Sequence, residues 1–173
     1  MQRIIFIFFL SVGLVSSLFA ATITDWQLSP DGFGPIQIGM TLKQAEQVTG
    51  MKFSSTKPDV DQAEDESCFY VRLKGIQDLS FMISGDKIVR INITSSSFST
   101  SKGAKIGDTE AKVQALYAGK LEVEPHHYDQ NGHYLTLIEE SKDRAIRFET
   151  DGKVITQIYS GRNQEAHYVE DCL

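Results

Sequence analysis

The sequence predicts an α+β fold built as two tandem units, each a short helical segment packed on an antiparallel sheet. Three observations carry that prediction. The stretch from Ile36 to Gly50 reads as a strand end, a turn, a capped helix and a glycine stop, and much of it recurs from Ala104 to Gly119. Ile38, Gly39 and Thr41 match Ile106, Gly107 and Thr109 at an offset of 68, while Phe81, Gly85, Ile88 and Ile91 match Phe148, Gly152, Ile155 and Ile158 at an offset of 67. Between these blocks apolar residues alternate with polar ones at the period of a strand that buries one face. Two separate blocks agreeing on nearly one spacing point to a duplication.

Taken in order, the chain opens with Arg3, an apolar run from Ile4 interrupted by serines, and the small residues around Ala20 and Ala21. This pattern predicts a secretory signal over residues 1–20, cleaved after Ala20 or Ala21, rather than a membrane anchor. The first unit then spans 21–97 with its lead-in, and the second spans 98–173 with a C-terminal tail. The turn-rich segment Ser29 to Pro35 is expected to hold no regular element. Thr41 supplies an N-cap and Gln44 completes a capping box. Leu42, Ala45 and Val48 are read as one apolar helix face, and Gly50 ends the helix in a left-handed conformation. The acidic run Asp59 to Glu66 lacks the central glycine and closing glutamate of a calcium loop and reads as a solvated loop.

Strands are predicted around Phe69–Leu73, Leu79–Ile83 and Val89–Ile93, with a hairpin turn at Ser84 to Lys87. A serine-rich joint, Ser95 to Ser101, leads to the second helix. Strands over Leu121–Tyr128 and His133–Glu140 follow, separated by a turn at Asp129 to Gly132, and the last hairpin turns at Asp151-Gly152.

The chain carries 17 basic and 23 acidic residues for a net charge of −6, and loss of Arg3 with the signal takes it to −7. That balance disfavours nucleic acid as a partner. The predicted location is periplasmic or secreted, without a stable membrane anchor. In an oxidising compartment the two cysteines, Cys68 and Cys172, are expected to pair and to staple the tail to the first half. The alternative is a reactive thiol, but neither has a cationic or histidine neighbour in sequence to activate it.

The motif Ile38-Gly39-Met40-Thr41-x-x-x-Ala45 with Gly50, repeated more weakly as Ile106-Gly107-Asp108-Thr109-x-x-x-Val113 with Gly119, resembles the β-lactamase inhibitor protein family. A single unit is similar to the small outer-membrane-assembly lipoproteins. The resemblance implies a layer of short helices on an antiparallel sheet, with the open sheet face gripping another protein. Asp108 departs from the methionine of the first copy, a single bridge between halves replaces bridges within each unit, and no lipidation cysteine is present. Fold likeness of this kind is an analogy for function.

Strand alternation assigns Tyr70, Arg72, Met82, Arg90, Tyr134, Arg147 and Tyr159 to the sheet face opposite the core. Tyrosine and arginine are enriched where interfaces concentrate their binding energy, so these seven are the candidate partner-binding residues, against an ordinary wet sheet face as the plainer reading. The densest polar cluster, Glu124 to Tyr134, offers His126, His127, Asp129 and His133 as weak metal-ligand candidates. Neighbouring strand residues point to opposite faces, and neither plausible register sets two histidines directly opposite, so no metal and no other cofactor is favoured. No Gly-x-Ser-x-Gly, phosphate-cradling glycine loop or His-Glu-x-x-His occurs, and no catalytic residues are assigned. The sequence therefore favours an exported, non-catalytic protein that binds another protein of the envelope or exterior, in the manner of an enzyme inhibitor. An envelope scaffold or assembly factor is the first rival, and a metal-binding protein using the histidine hairpin is the second.

Overall fold

A computed structural model describes residues 22–55, 68–170 and 172. The expected signal and the acidic run at 59–66 lie outside the described residues. In chain order come β1 (Gln27–Ser29), β2 (Gly32–Phe33), β3 (Ile36–Gln37), α1 (Leu42–Thr49), β4 (Phe53–Ser55), β5 (Cys68–Leu73), β6 (Leu79–Ser84) and β7 (Lys87–Ile93). They are followed by β8 (Ser99–Thr100), α2 (Glu110–Leu116), β9 (Glu122–Pro125), β10 (His133–Glu139), β11 (Arg144–Thr150), β12 (Ile155–Arg162) and α3 (Asn163–Ala166).

Eight strands form one antiparallel sheet in the order β4-β5-β6-β7-β12-β11-β10-β9, so the fold is α+β with strands dominant. The two halves meet at β7 and β12, where Asn92 pairs with Tyr159. These residues differ by the same 67 positions that relate the two sequence blocks. Exchanging the halves therefore maps the Ile93–Ile158 pair onto Ile91–Ser160, which is also a pair in the structure. A local pseudo-twofold passes through this seam.

The repeated turn makes the same bonds in both halves. Gly39 N–H donates to the Ile88 carbonyl at 2.7 Å and Ile88 N–H to the Met40 carbonyl at 2.8 Å. In the second half Gly107 N–H donates to Ile155 at 2.9 Å and Ile155 N–H to Asp108 at 2.8 Å. Both turn glycines take a left-handed φ, 92° and 87°, which a side chain would strain. Each half also carries one β-bulge 67 positions apart, at Met82/Ile83 and Glu149/Thr150.

The caps diverge where the sequences do. Thr41 and Gln44 form a reciprocal box, with Thr41 N–H on Gln44 Oε1 at 2.9 Å and Gln44 N–H on Thr41 Oγ1 at 3.2 Å. In the second half Thr109 Oγ1 accepts from Lys112 N–H at 3.3 Å, and Lys112 cannot return the bond. Asp108 meets the Lys112 ammonium at 2.6 Å and the Lys105 amide at 2.9 Å instead. Burial pushes the Asp108 carboxyl up, but these hydrogen bonds outweigh it and hold the group below the ordinary carboxylate range.

The core lies between one face of the large sheet and a layer made of α1, α2 and a small sheet, β3-β2-β1-β8. Phe81 and Phe148, related by the repeat, each meet a second ring edge-on at 5.2 Å, Phe53 and Tyr117 respectively. Three expectations are corrected. The segment around Pro30 and Pro35 does hold short strands, because the prolines sit in the turns between β1, β2 and β3 rather than in a ladder. The serine-rich joint contains β8, which pairs parallel with β1. Val48 is 50% exposed, since each three-residue step rotates a helix position by about 60° off the stripe and the third member leaves it.

Candidate functional site

The seven residues singled out by alternation do share the sheet face away from the core. Tyr70, Met82 and Arg90 stand opposite one another on β5, β6 and β7; Tyr159 faces Arg147 across β12 and β11; Tyr134 lies on β10 beyond. The face is not the open surface that the sequence suggested. Met82, Arg90, Tyr134, Arg147 and Tyr159 are at most 4% exposed, while Tyr70 and Arg72 are half-buried.

The cover is the C-terminal segment. α3 packs over β7, β12 and β11 and buries Ala166. Arg90 anchors it, donating from Nη1 to the carbonyls of Glu165 and Tyr168, both at 3.2 Å. A guanidinium there satisfies carbonyls that a helix end leaves open. Arg90 also donates from Nη2 to the Tyr70 hydroxyl at 2.6 Å and from Nε to Asn92 Oδ1 at 2.9 Å, with its charge 4.9 Å from the Tyr159 ring centroid. Farther along, the Tyr128 hydroxyl donates to Glu170. The disulfide between Cys68 and Cys172, 104 positions apart with Cα atoms at 5.4 Å, fastens the tail to the start of β5. Arg72, outside this cover, donates from Nε to the Gln77 carbonyl at 3.1 Å.

Cover is incomplete on the β9 side. A cleft of about 450 Å³ opens there, lined by Glu124, Pro125, His126, His127, Tyr134, Arg147 and Val169. Its floor is the Arg147 guanidinium, stacked 4.0 Å from the Tyr134 ring centroid. Nη2 of Arg147 lies 3.2 Å from Glu124 Oε2, while Nη1 is buried and has no hydrogen-bond partner among the described residues. Thr136, opposite Arg147 in the ladder, likewise has a buried hydroxyl without a partner. Buried polar groups are nearly always satisfied, so these two neighbouring groups stand out as ones that no described side chain or backbone group of the fold satisfies.

The wall of the cleft is fixed by His126. Its Nδ1 accepts from the backbone N–H groups of Tyr128 and Asp129 at 3.0 and 2.9 Å, which makes Nε2 the donor to Glu149 Oε1 at 2.7 Å. Glu149 also accepts from the Tyr159 hydroxyl at 3.2 Å, and the His126 ring stacks on Tyr134 at 4.6 Å. Burial raises the phenol pKa of both Tyr134 and Tyr159, so both stay neutral donors well beyond neutral pH.

The four metal-ligand candidates are dispersed by this arrangement. His126 turns toward Glu149, whereas His133 Nδ1 meets Glu110 Oε1 of α2 at 2.9 Å. Asp129 Oδ1 accepts from the Asn131 amide at 2.9 Å, and the His127 ring meets Tyr128 edge-on at 4.7 Å. Among the described residues no three histidine, cysteine, aspartate or glutamate side chains converge on one point. Neither expected hairpin register occurs: β9 ends at Pro125, which pairs with His133, and residues 126–132 form the loop. The cause is the inward turn of His126, whose N–H bonds to the Gly132 carbonyl at 2.9 Å and whose ring caps the loop. Sequence reading missed Glu149 and Val169. Glu149 sits two residues from Arg147 and thus on the same strand face, a legible signal; Val169 depends on where the tail docks.

Together these features define a duplicated α+β protein whose halves share one large sheet, with one face of that sheet forming the core and the other carrying a tail and a partly polar cleft. No protein-family model and no curated protein sequence matches the chain. A crystal structure of YfeY, an uncharacterized protein from Escherichia coli, superposes with a TM-score of 0.52 at 14% identity, covering 79% of this chain and 99% of that one. At that identity the likeness is one of fold.

Proposed function

We propose that this is an exported, non-catalytic binding protein that grips another protein of the envelope or exterior, in the manner of the β-lactamase inhibitor proteins its turn motif resembles. The observation that carries the reading is the buried Arg147, stacked on Tyr134 with a donor left open at the floor of a cleft. Concave sites with an apolar rim and a few convergent polar groups are where proteins bind partners. The gripping surface is the cleft with the exposed Val169 at its edge, and not the whole sheet face. Export is supported by the signal-like N-terminus and by the disulfide, a bond that persists in oxidising compartments. Among the described residues no helix is long and apolar enough to cross a membrane.

The test is an affinity capture from envelope extract with the mature chain, comparing wild type with Val169→Asp. Val169 is exposed at the cleft rim, so the substitution leaves the fold intact. A stoichiometric partner retained by wild type and lost from the variant supports the proposal. Capture of nothing above background, or of the same proteins by both, refutes it.

A further inference from the structure

We infer that the cleft is a carboxylate receptor: Arg147, with Glu124 as an internal stand-in, takes an acidic group presented by a partner protein. The inference rests on the binding role proposed above and names the chemistry of the contact.

The guanidinium plane is held by Tyr134 on one face, and Tyr134 is itself backed by the His126 ring. Glu149, the other acid nearby, is already engaged by His126 and the Tyr159 hydroxyl. Among the described residues the only carboxylate on Arg147 is Glu124, which reaches Nη2 alone and whose side chain is 53% exposed at the edge of the sheet. One prong of the fork is thus occupied by a loosely held acid and the other, Nη1, is buried without an acceptor. A carboxylate accepts on two oxygens at the spacing of that fork and offers no competing donor, so it fills both prongs at once by displacing Glu124. Pro125 and Val169 flank the opening and suit an apolar side chain next to the acid, and about 450 Å³ accommodates one such residue with its neighbours. The contact is made by side chains rather than by strand addition, since Pro125 removes a backbone donor from the edge strand β9.

The probe is N-acetyl-leucine, a free carboxylate beside an apolar side chain, compared with N-acetylleucinamide, titrated into the ¹⁵N-labelled mature chain. We expect saturable shifts at the Arg147 Nε–H, His126 and Val169 signals for the acid and none for the amide. Arg147→Met, which keeps the stack on Tyr134 but removes the fork, weakens binding by about tenfold or more. Glu124→Gln, at an exposed edge position that leaves the fold undisturbed, tightens it several-fold by removing the competitor. Equal binding of acid and amide, no saturable shift at millimolar probe, or an indifferent Glu124→Gln overturns the inference. Partner capture that depends on Val169 but not on Arg147 also overturns it while leaving the binding role standing; failure of capture altogether removes the binding role itself.

Discussion

Replacing both Cys68 and Cys172 by serine opens a loop closed across 104 positions, and its cost can be worked from that separation. In the chain-entropy model a loop of that length restrains the unfolded chain by about 4.7 kcal/mol at 25 °C. Unfolding entropy near 60 °C is about 2.1 cal/mol/K per residue, so for a mature chain of about 150 residues each kcal/mol moves the melting temperature by about 3 °C. The ceiling is therefore a fall of about 15 °C. The folded state loses little, because Arg90 still holds the carbonyls of Glu165 and Tyr168 and Tyr128 still holds Glu170. Scanning calorimetry of wild type and the double variant, without reductant, measures the difference, and limited proteolysis checks that residues 163–170 remain protected. A fall smaller than about 2 °C would refute the reasoning, since it would mean that the link does not restrain the unfolded chain as its loop length requires.

The repeat allows a paired comparison of caps: Thr41→Ala and Thr109→Ala each remove a side-chain acceptor from a helix N-terminus and are each expected to cost about 1 kcal/mol in urea unfolding. The two sites share no partners, so the double variant should lose the sum to within about 0.5 kcal/mol, and a large departure would show that the halves couple through their caps. On the alkaline side, burial raises the pKa of Tyr117, Tyr134 and Tyr159 in the folded chain. The folded state then holds protons that the unfolded chain releases near pH 10, so stability is intact below that pH and falls as pH climbs beyond it. Phenolate absorbance should rise in an early phase and then, with loss of far-ultraviolet dichroism, in a late one; all six tyrosines titrating together near pH 10 in the folded protein would contradict this.

The parts of the fold legible in the sequence are those set by local chemistry. Thr41 with Gln44, Gly50 as a left-handed stop, and the hairpin at Gly85 are each decided within a few residues, and the structure has them as read. The pairing of Cys68 with Cys172 follows from the count of two and the oxidising compartment that the sequence predicts. Alternation placed Arg90, Arg147 and Tyr159 correctly on the face away from the core, but alternation says nothing about what lies on that face. Arg90 finds its carbonyl partners 75 and 78 positions away, a distance over which no periodicity operates. The register of β9 against β10 differs from the one a turn at Asp129 to Gly132 predicts, because one histidine ring caps a longer loop of its own. The cleft is a product of these two events, one long-range and one a loop closure, so the sequence names most of its residues but not their gathering.

The seam at Asn92 and Tyr159 has a consequence for how the halves depend on each other. β7 and β12 are the innermost strands of their respective repeats, and each finds its second ladder only in the other copy. A lone repeat would present its innermost strand as a raw border, ready to zip onto any matching neighbour. Carrying both copies on a single thread makes that neighbour permanent at a local concentration that separate repeats would not reach, which turns a self-association hazard into the central ladder of one chain.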